Sequence, residues 1–213
     1  MNVTLVSMTE DGDHLAGMAA ATCTRAHNWG KALEYALNSG HESVLEHVSA
    51  TFCVEGVSRV LLAQLTRHRI ASYSVESERY CDVNGNQIVI PNSIRKDQEL
   101  YGMFLNLIYE TQLFYQEAER HGIPKEDARY GTLQGISTTL LVTMNARELR
   151  HFFSLRCCNR AQWEIRELAD RMLALCKKKA PMLFKDAGPG CVRGRCPEEK
   201  PCGDPRMEEA LFR

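Results

Sequence analysis

A long amphipathic stretch between residues 94 and 120 does most to limit the folds open to this chain of 213 residues. Apolar side chains recur there at intervals of three and four residues, as at Leu100, Phe104 and Leu107, and Gly122 follows the stretch. This spacing predicts a helix of about seven turns, since one side chain in each turn lies on the apolar face. The stretch is the longest predicted element.

Two other segments have patterns typical of strands. Residues 47–54 alternate apolar and polar side chains, which predicts a half-buried strand whose polar face could line a site. Residues 136–144 are rich in β-branched residues and predict a buried strand, and residues 87–90 predict a short one that ends at Pro91. Because helices and strands occur together, we predict a single α+β domain with a mixed or antiparallel sheet and several long helices.

Residues with helix-capping side chains divide the rest of the chain. Ser58 is expected to cap a helix that ends at residues 67–69, and residues 72–80 are expected to form a loop. Further helices are expected to be capped by Asp13, Asn145 and Asn159.

The C-terminal segment differs in composition from the rest. We predict one domain over residues 1–187 and a mobile tail rich in Gly, Pro and Cys over residues 188–213. The tail has no Cys-x-x-Cys pair, and His41 and His47 are six residues apart rather than four, so no metal site is predicted.

Net charge and hydropathy argue against two classes of partner, nucleic acids and membranes. A formal net charge of −1 argues against a basic surface for nucleic acid, although a protein that binds phosphates through local arginines remains an alternative. No stretch reaches the roughly 18 apolar residues of a membrane span, and the N-terminus does not resemble a secretory signal. We therefore expect a cytoplasmic protein without membrane partners.

Residues 67–80 have the least usual composition. They contain Arg67, His68, Arg69 and Arg79 together with several hydroxyl groups, Ser77 among them. Guanidinium groups bind phosphate and planar carbonyl groups through paired hydrogen bonds, so the segment indicates a site for phosphorylated planar ligands. The alternative is a solvated helix end followed by a polar loop.

The same residues resemble the signature of flavin-dependent thymidylate synthases, in which Arg-His-Arg is followed after seven residues by Ser-x-Arg. Further matches follow in the family's order, in the segments that begin at Leu45, Met144, Leu155 and Ala161. The resemblance implies an enzyme that methylates dUMP to dTMP, with methylenetetrahydrofolate as carbon donor and FADH2, reduced by NADPH, as hydride donor. It also implies a homotetramer whose active sites are shared between subunits.

The resemblance assigns roles residue by residue. Contacts with FAD are implied for Ser49, Arg67, His68, Arg69, Ile70, Asn145, His151, Leu155 and Arg160. Contacts with dUMP are implied for Gln64, Ser77, Arg79, Arg129 and Arg156, and positions on the folate side for His47 and Tyr80. Family members often have an acidic residue where this chain has Val75 and a histidine where it has Arg160, which weakens the assignments at those two positions.

Two mechanistic alternatives concern the pyrimidine ring. Arg156 at a uracil carbonyl would stabilise negative charge that develops on the ring, so we expect it to be the catalytic residue. A nucleophilic Ser77 is the alternative, but no general base lies beside it in the motif. A flavoprotein that binds nucleotides without methyl transfer is also compatible with the pattern.

Overall fold

The computed structural model describes residues 1–83, 85–194 and 196–206. The strands are β1 (Asn2–Met8), β2 (Ser49–Ser58), β3 (Ala71–Val75) and β4 (Ser137–Asn145). The described α-helices are α1 (Gly12–Thr24), α2 (Trp29–Asn38), α3 (Arg59–Leu65), α4 (Asn92–Arg95), α5 (Gln98–Arg120), α6 (Lys125–Ala128), α7 (Ala146–Arg156), α8 (Trp163–Lys179) and α9 (Pro181–Phe184). Short 3-10 helices span Glu42–His47, Arg129–Gly131 and Gly190–Arg193. None of the described helices is long and apolar enough to cross a membrane.

The strands form one antiparallel sheet in the order β1-β2-β4-β3, which confirms the predicted α+β class. The predicted alternation in β2 is also confirmed, because Ala50, Phe52 and Val54 are buried while Ser49 is exposed. Ser58 caps α3 as predicted, since its hydroxyl oxygen accepts the Leu61 N–H over 3.1 Å.

Several predicted boundaries were wrong. Residues 71–75 form β3 rather than a loop, because an edge strand of the sheet needs only one partner and tolerates polar side chains. Residues 87–90 form only an isolated bridge at Ile88. The long amphipathic stretch is divided in two by Asp97, whose carboxylate accepts the Leu100 N–H over 3.1 Å and caps α5.

Two predicted helix caps were also wrong. Gln162, not Asn159, caps α8 by accepting backbone N–H groups of the first turn. Asp13 lies inside the first turn of α1, where its carboxylate accepts the backbone N–H groups of Met182 and Leu183, each over 2.9 Å. The short side chain therefore links α1 to the start of α9.

The chain forms two compact units. The first comprises Met1–Asn2, Val54–Gln64 and Ser74–Leu140, and a cluster around the buried Tyr115 and Ile136 forms a core in it. The second comprises Val3–Cys53, Leu65–Tyr73 and Leu141–Arg213, and its core includes the rings of Phe152, Phe153 and Phe184.

The described part of the C-terminal segment contacts α8 and the loop between α7 and α8. Arg206 donates from Nη1 to the Cys157 carbonyl oxygen over 2.7 Å and to the Asp170 carboxylate over 2.8 Å. The Asn159 amide donates to the Asp204 carbonyl oxygen over 2.9 Å. The predicted boundary after residue 187 and the mobility of the tail stay predictions, and residues 207–213 lie outside the described part.

Candidate active site

The turn formed by residues 67–69 follows α3, rather than lying in its last turn as predicted. The helix ends at Leu65, whose carbonyl oxygen accepts the His68 N–H over 3.1 Å. The Tyr73 hydroxyl lies 2.8 Å from the carbonyl oxygens of both Leu65 and His68. Burial, and then the charge of Glu148, raises the pKa of Tyr73 to about 12, so the hydroxyl stays a donor at neutral pH. Tyr73 thus holds the backbone of the turn.

The imidazole of His68 is buried between a carboxylate and a guanidinium group. Its Nδ1 lies 2.9 Å from Oε1 of Glu148, and its Nε2 lies 3.2 Å from Nε of Arg156. The rings of Phe152 and His151 meet it edge-on, at centroid distances of 4.9 and 5.9 Å. The ring is therefore held by contacts on several sides.

The protonation state of His68 follows from these partners. Burial lowers the pKa of His68 from its ordinary 6.5, and the charge of Arg156 acts in the same direction, while the hydrogen bond to Glu148 opposes them. A neutral imidazole carries one proton, and arginine can only donate, so Nε2 must accept from Arg156. The proton is then on Nδ1, which donates to Glu148.

Asn145 caps α7 as predicted and sets the position of Glu148. The Asn145 side-chain oxygen accepts the Glu148 N–H over 2.8 Å. The Ala146 N–H donates to the Val48 carbonyl oxygen over 2.7 Å, which brings the exposed Ser49 to the N-terminal end of the same helix. These local bonds place one end of α7 next to β2.

Positive charge is concentrated at the other end of α7. Burial, and then the neighbouring charge of Arg67, lowers the pKa of Arg156, the last residue of the helix. Among the residues that the structure describes, the terminal amino groups of Arg156 have no hydrogen-bond partner. Two neighbouring guanidinium groups with free donors favour an anionic ligand.

The other residues assigned to FAD differ in their surroundings. Arg69, Ile70, His151 and Leu155 are exposed and available to a ligand. Arg160 is instead engaged with the tail, since its Nη1 donates to the Lys200 carbonyl oxygen. The structure thus brings His68, His151, Arg67 and Arg156 together. Asn145 lies at the opposite end of α7, and Arg160 is paired elsewhere.

In the first unit, residues 77–81 form a tight turn. The Ser77 carbonyl oxygen accepts the N–H groups of Tyr80 and Cys81 over 3.1 and 2.9 Å. The Ser77 hydroxyl oxygen accepts the Arg79 N–H over 3.4 Å, and no histidine or carboxylate in the described ranges bonds to it. Among the described residues of this chain, Ser77 therefore has no bonded base of the kind that activates a nucleophile.

Arg79 and Arg129 converge on Glu126. Arg79 donates from Nε to the Glu126 carboxylate over 2.7 Å, and its guanidinium lies 5.5 Å from the centre of the Tyr80 ring. Arg129 donates from Nε to the Glu126 carbonyl oxygen over 3.0 Å. Gln64 is not part of this cluster, because its amide donates to the Val60 carbonyl oxygen within α3 over 3.3 Å.

His47 lies at the end of a 3-10 helix and lines a surface cavity of about 440 Å³ in the second unit. Leu15, Met18 and Val44 line the same cavity, so most of its wall is apolar. In residues 1–83, 85–194 and 196–206, no three His, Cys, Asp or Glu side chains form a group that could hold a metal ion.

Comparison with known proteins identifies the family. The sequence model of the family described as thymidylate synthase complementing protein matches residues 4–182. A flavin-dependent thymidylate synthase of Geobacter sulfurreducens is 42% identical over 228 residues, which cover 100% of this chain and 98% of that protein. The chain belongs to the flavin-dependent thymidylate synthase family. It is therefore an enzyme of the methyltransferase class and a flavoprotein.

Other members of the family agree with this conclusion. The flavin-dependent thymidylate synthase of Clostridium tetani is 47% identical over 186 residues, covering 79% of this chain and 74% of that protein. A crystal structure of the flavin-dependent thymidylate synthase of Helicobacter pylori, complexed with FAD and dUMP, superimposes with a TM-score of 0.74. It is 26% identical in sequence and covers 88% of this chain and 100% of that chain.

Three side chains of this flavin-dependent synthase were missed by sequence reasoning: Tyr73, Glu126 and Glu148. Only Glu148 lies in a sequence pattern that could have identified it, because an acidic residue three positions after a capping Asn is typical of the first turn of a helix. Glu126 has no local pattern that marks it, because Arg79 lies 47 positions away. Tyr73 bonds to carbonyl oxygens only five and eight positions before it, but backbone acceptors leave no side-chain pattern in the sequence. The ligand contacts of the other residues stay predictions.

Proposed function

We propose that the chain converts dUMP to dTMP by reductive methylation, with methylenetetrahydrofolate as carbon donor and FADH2, reduced by NADPH, as hydride donor. The observation that carries this proposal is the pair of neighbouring guanidinium groups of Arg67 and Arg156 beside the buried His68. The related Helicobacter pylori enzyme, complexed with FAD and dUMP, supports the same two ligands here.

The second unit has the donors that FAD requires. A dinucleotide carries a diphosphate, and the exposed guanidinium groups of Arg67 and Arg69 suit it because each can donate two parallel hydrogen bonds. When bound, reduced FAD supplies the hydride. The residues that would hold it are Ser49, Arg67, His68, Arg69, Ile70, Asn145, His151, Leu155 and, if released from the tail, Arg160.

The nucleotide is held by residues of different chemistry. Arg79 and Arg129 bind the phosphate of dUMP, while Ser77 and Gln64 orient the nucleotide through hydrogen bonds. Arg156 donates to a uracil carbonyl oxygen and stabilises the negative charge that develops when C5 attacks the folate methylene. Arg156 is the proposed catalytic residue.

The folate binds beside His47 and Tyr80. The largely apolar cavity next to His47 suits the flat ring system of a folate, which loses contact with water on binding. Tyr80 is 75% exposed, so its ring is available to stack on a planar ligand.

A homotetramer is supported by the surface of α5. This helix exposes several large apolar side chains, and such a surface is typical of a contact with another protein chain. The side chains are those of Leu100, Met103, Leu107, Tyr109 and Phe114, each at least 47% exposed. Light scattering on the purified protein tests the mass expected of four chains.

The reaction itself is tested by incubating the FAD-loaded protein with dUMP, methylenetetrahydrofolate and NADPH. We expect dTMP to form and the C5 hydrogen of dUMP to be released. Omitting the folate should abolish dTMP formation, and omitting NADPH should limit it to the flavin reduced beforehand. A flavin-loaded protein that binds dUMP but never forms dTMP would contradict the proposal and favour a nucleotide-binding flavoprotein.

A further inference from the structure

Three side chains of the second unit form a continuous hydrogen-bonded chain. Oε1 of Glu148 accepts from Nδ1 of His68 over 2.9 Å, and Nε2 of His68 accepts from Nε of Arg156 over 3.2 Å. The Glu148 and His68 side chains are only 8% and 4% exposed. The terminal amino groups of Arg156 have no hydrogen-bond partner within the described residues.

A helix-stabilising role alone does not explain the position of Glu148. It is the third residue of α7, where a glutamate often reaches back to the capping residue. Here Asn145 caps the helix through its own side chain, and the Glu148 carboxylate bonds to His68 instead. A buried carboxylate is costly unless it is hydrogen-bonded, so this bond has to be maintained.

The chemistry of the imidazole gives the carboxylate a specific effect. A carboxylate at Nδ1 favours the tautomer that carries its proton there, and this leaves a lone pair on Nε2. Only that tautomer can accept from the Nε–H of Arg156, because the other would point two hydrogen atoms at each other. The hydrogen bond from His68 to Glu148 therefore favours the same tautomer that holds Nε of Arg156.

We infer that Glu148 is a positioning residue, which acts through the tautomer of His68 to orient the guanidinium group of Arg156 toward the nucleotide. The inference rests on the proposed contact of Arg156 with uracil. With Nε bound to His68, the guanidinium presents both terminal amino groups in one plane, which suits the carbonyl oxygens of a pyrimidine. Orientation before the reaction reduces the reorganisation that charge stabilisation would otherwise require.

Nitrogen NMR of histidine tests the tautomer independently of activity. The FAD-loaded protein is labelled with ¹⁵N-histidine, and the His68 signals are assigned by their loss in His68→Asn. We expect a protonated Nδ1 and an unprotonated Nε2 in the wild type, and a mixture of both tautomers in Glu148→Gln, since an amide can donate as well as accept. A wild-type His68 protonated on Nε2 would overturn the inference.

A double-mutant cycle tests the consequence at the nucleotide. In the wild-type background we expect Glu148→Gln to lower kcat by about tenfold, the loss typical of one misplaced charge-assisted hydrogen bond, with FAD retention unchanged. In an Arg156→Lys background the same change should lower kcat less than about twofold, because lysine has no Nε–H to be oriented by His68.

The matched control is Glu167→Gln, which removes a carboxylate from an exposed pair with Arg171 on α8 and should leave kcat unchanged. Equal losses in the two backgrounds would overturn the inference, since a purely structural Glu148 acts regardless of residue 156. If Arg156→Lys alone leaves both kcat and dUMP affinity unchanged, the proposed function of Arg156 fails instead, whatever the NMR spectra give.

Discussion

Arg79 donates its Nε–H to the carboxylate of Glu126 over 2.7 Å, in a pair whose side chains are 52% and 46% exposed. An ion pair so open to solvent contributes little to stability, typically about 0–1 kcal/mol. The guanidinium can therefore exchange this partner for a ligand phosphate at small cost.

Replacing Arg79 with Ala should weaken dUMP binding more than FAD binding. Loss of a charge-assisted contact with phosphate costs about 1.5–3 kcal/mol, or about ten- to a hundredfold in affinity. Titration of each ligand, followed by flavin fluorescence or calorimetry, measures both effects. Arg120→Ala is the control, because Arg120 belongs to an exposed pair on α5. Equal losses for the two ligands would mean that Arg79 does not belong to the nucleotide side.

Replacing Arg67 with Ala should reduce FAD retention. The change removes one of two neighbouring cations, and the diphosphate then lacks about 1.5–3 kcal/mol of charge-assisted bonding. We expect the wild type to keep its flavin absorbance after desalting and the variant to lose most of it. Arg120→Ala again serves as control. A colourless wild-type protein that does not take up added FAD would contradict the cofactor assignment as a whole.

Ser77→Ala should keep measurable synthase activity. Arg156→Ala should lose a much larger part of its activity than Ser77→Ala does. The Ser77 hydroxyl makes one long contact with Arg79 N–H, so its removal should cost only about 1 kcal/mol, which is less than tenfold in rate. Arg156 acts on charge in the transition state, and its loss should lower turnover about a hundredfold or more. Initial rates of dTMP formation at saturating substrates decide between them. A folded, flavin-loaded Ser77→Ala protein without activity would restore the serine nucleophile.

The fold should lose stability as the pH falls below about 6.5, in part through His68. Burial lowers the pKa of His68 in the folded protein, so the unfolded chain takes up the proton first and is favoured as the solution becomes more acidic. Above 6.5 both states are neutral and the effect vanishes. Urea unfolding at a series of pH values gives the slope of the unfolding free energy against pH. His68→Asn should make this slope smaller below pH 6.5. An unchanged slope in the variant would mean that His68 does not titrate in this range.

Arg206→Ala should lower the stability of the second unit. The Arg206 and Asp170 side chains are 13% and 21% exposed, and the guanidinium also bonds to the Cys157 carbonyl oxygen. Loss of these charge-assisted bonds should cost about 1.5–3 kcal/mol, which thermal unfolding would detect. Arg193→Ala is the matched control within the tail, since its contact with Asp186 is 3.9 Å long and exposed. If both variants melt alike, the tail contributes nothing through Arg206.

Elements with strong local patterns were predictable from the sequence. The alternation in β2 and the capping residues Ser58 and Asn145 were read correctly, because each depends on neighbours within a few positions. β3 was missed because its polar edge position gives no apolar alternation, and Asn159 was misread because Gln162 caps the helix in its place.

The site was predictable only in part for the same physical reason. The motif of residues 67–79 identifies the arginines, but the pairing of His68 with Glu148 spans 80 positions and that of Arg79 with Glu126 spans 47. The short-range periodicity of apolar residues does not predict contacts between residues so far apart. They arise when the fold brings distant segments together.

The link between Asp13 and the start of α9 sets a limit on how far the chain can be shortened. The family model matches the chain only as far as residue 182, yet the Asp13 carboxylate also accepts the N–H of Leu183, and Leu183 and Phe184 are fully buried. A fragment cut at residue 182 would leave that carboxylate without one donor and open the hydrophobic interior to water. The smallest fragment that folds on its own must therefore extend past Phe184, beyond the residue at which the family model ends.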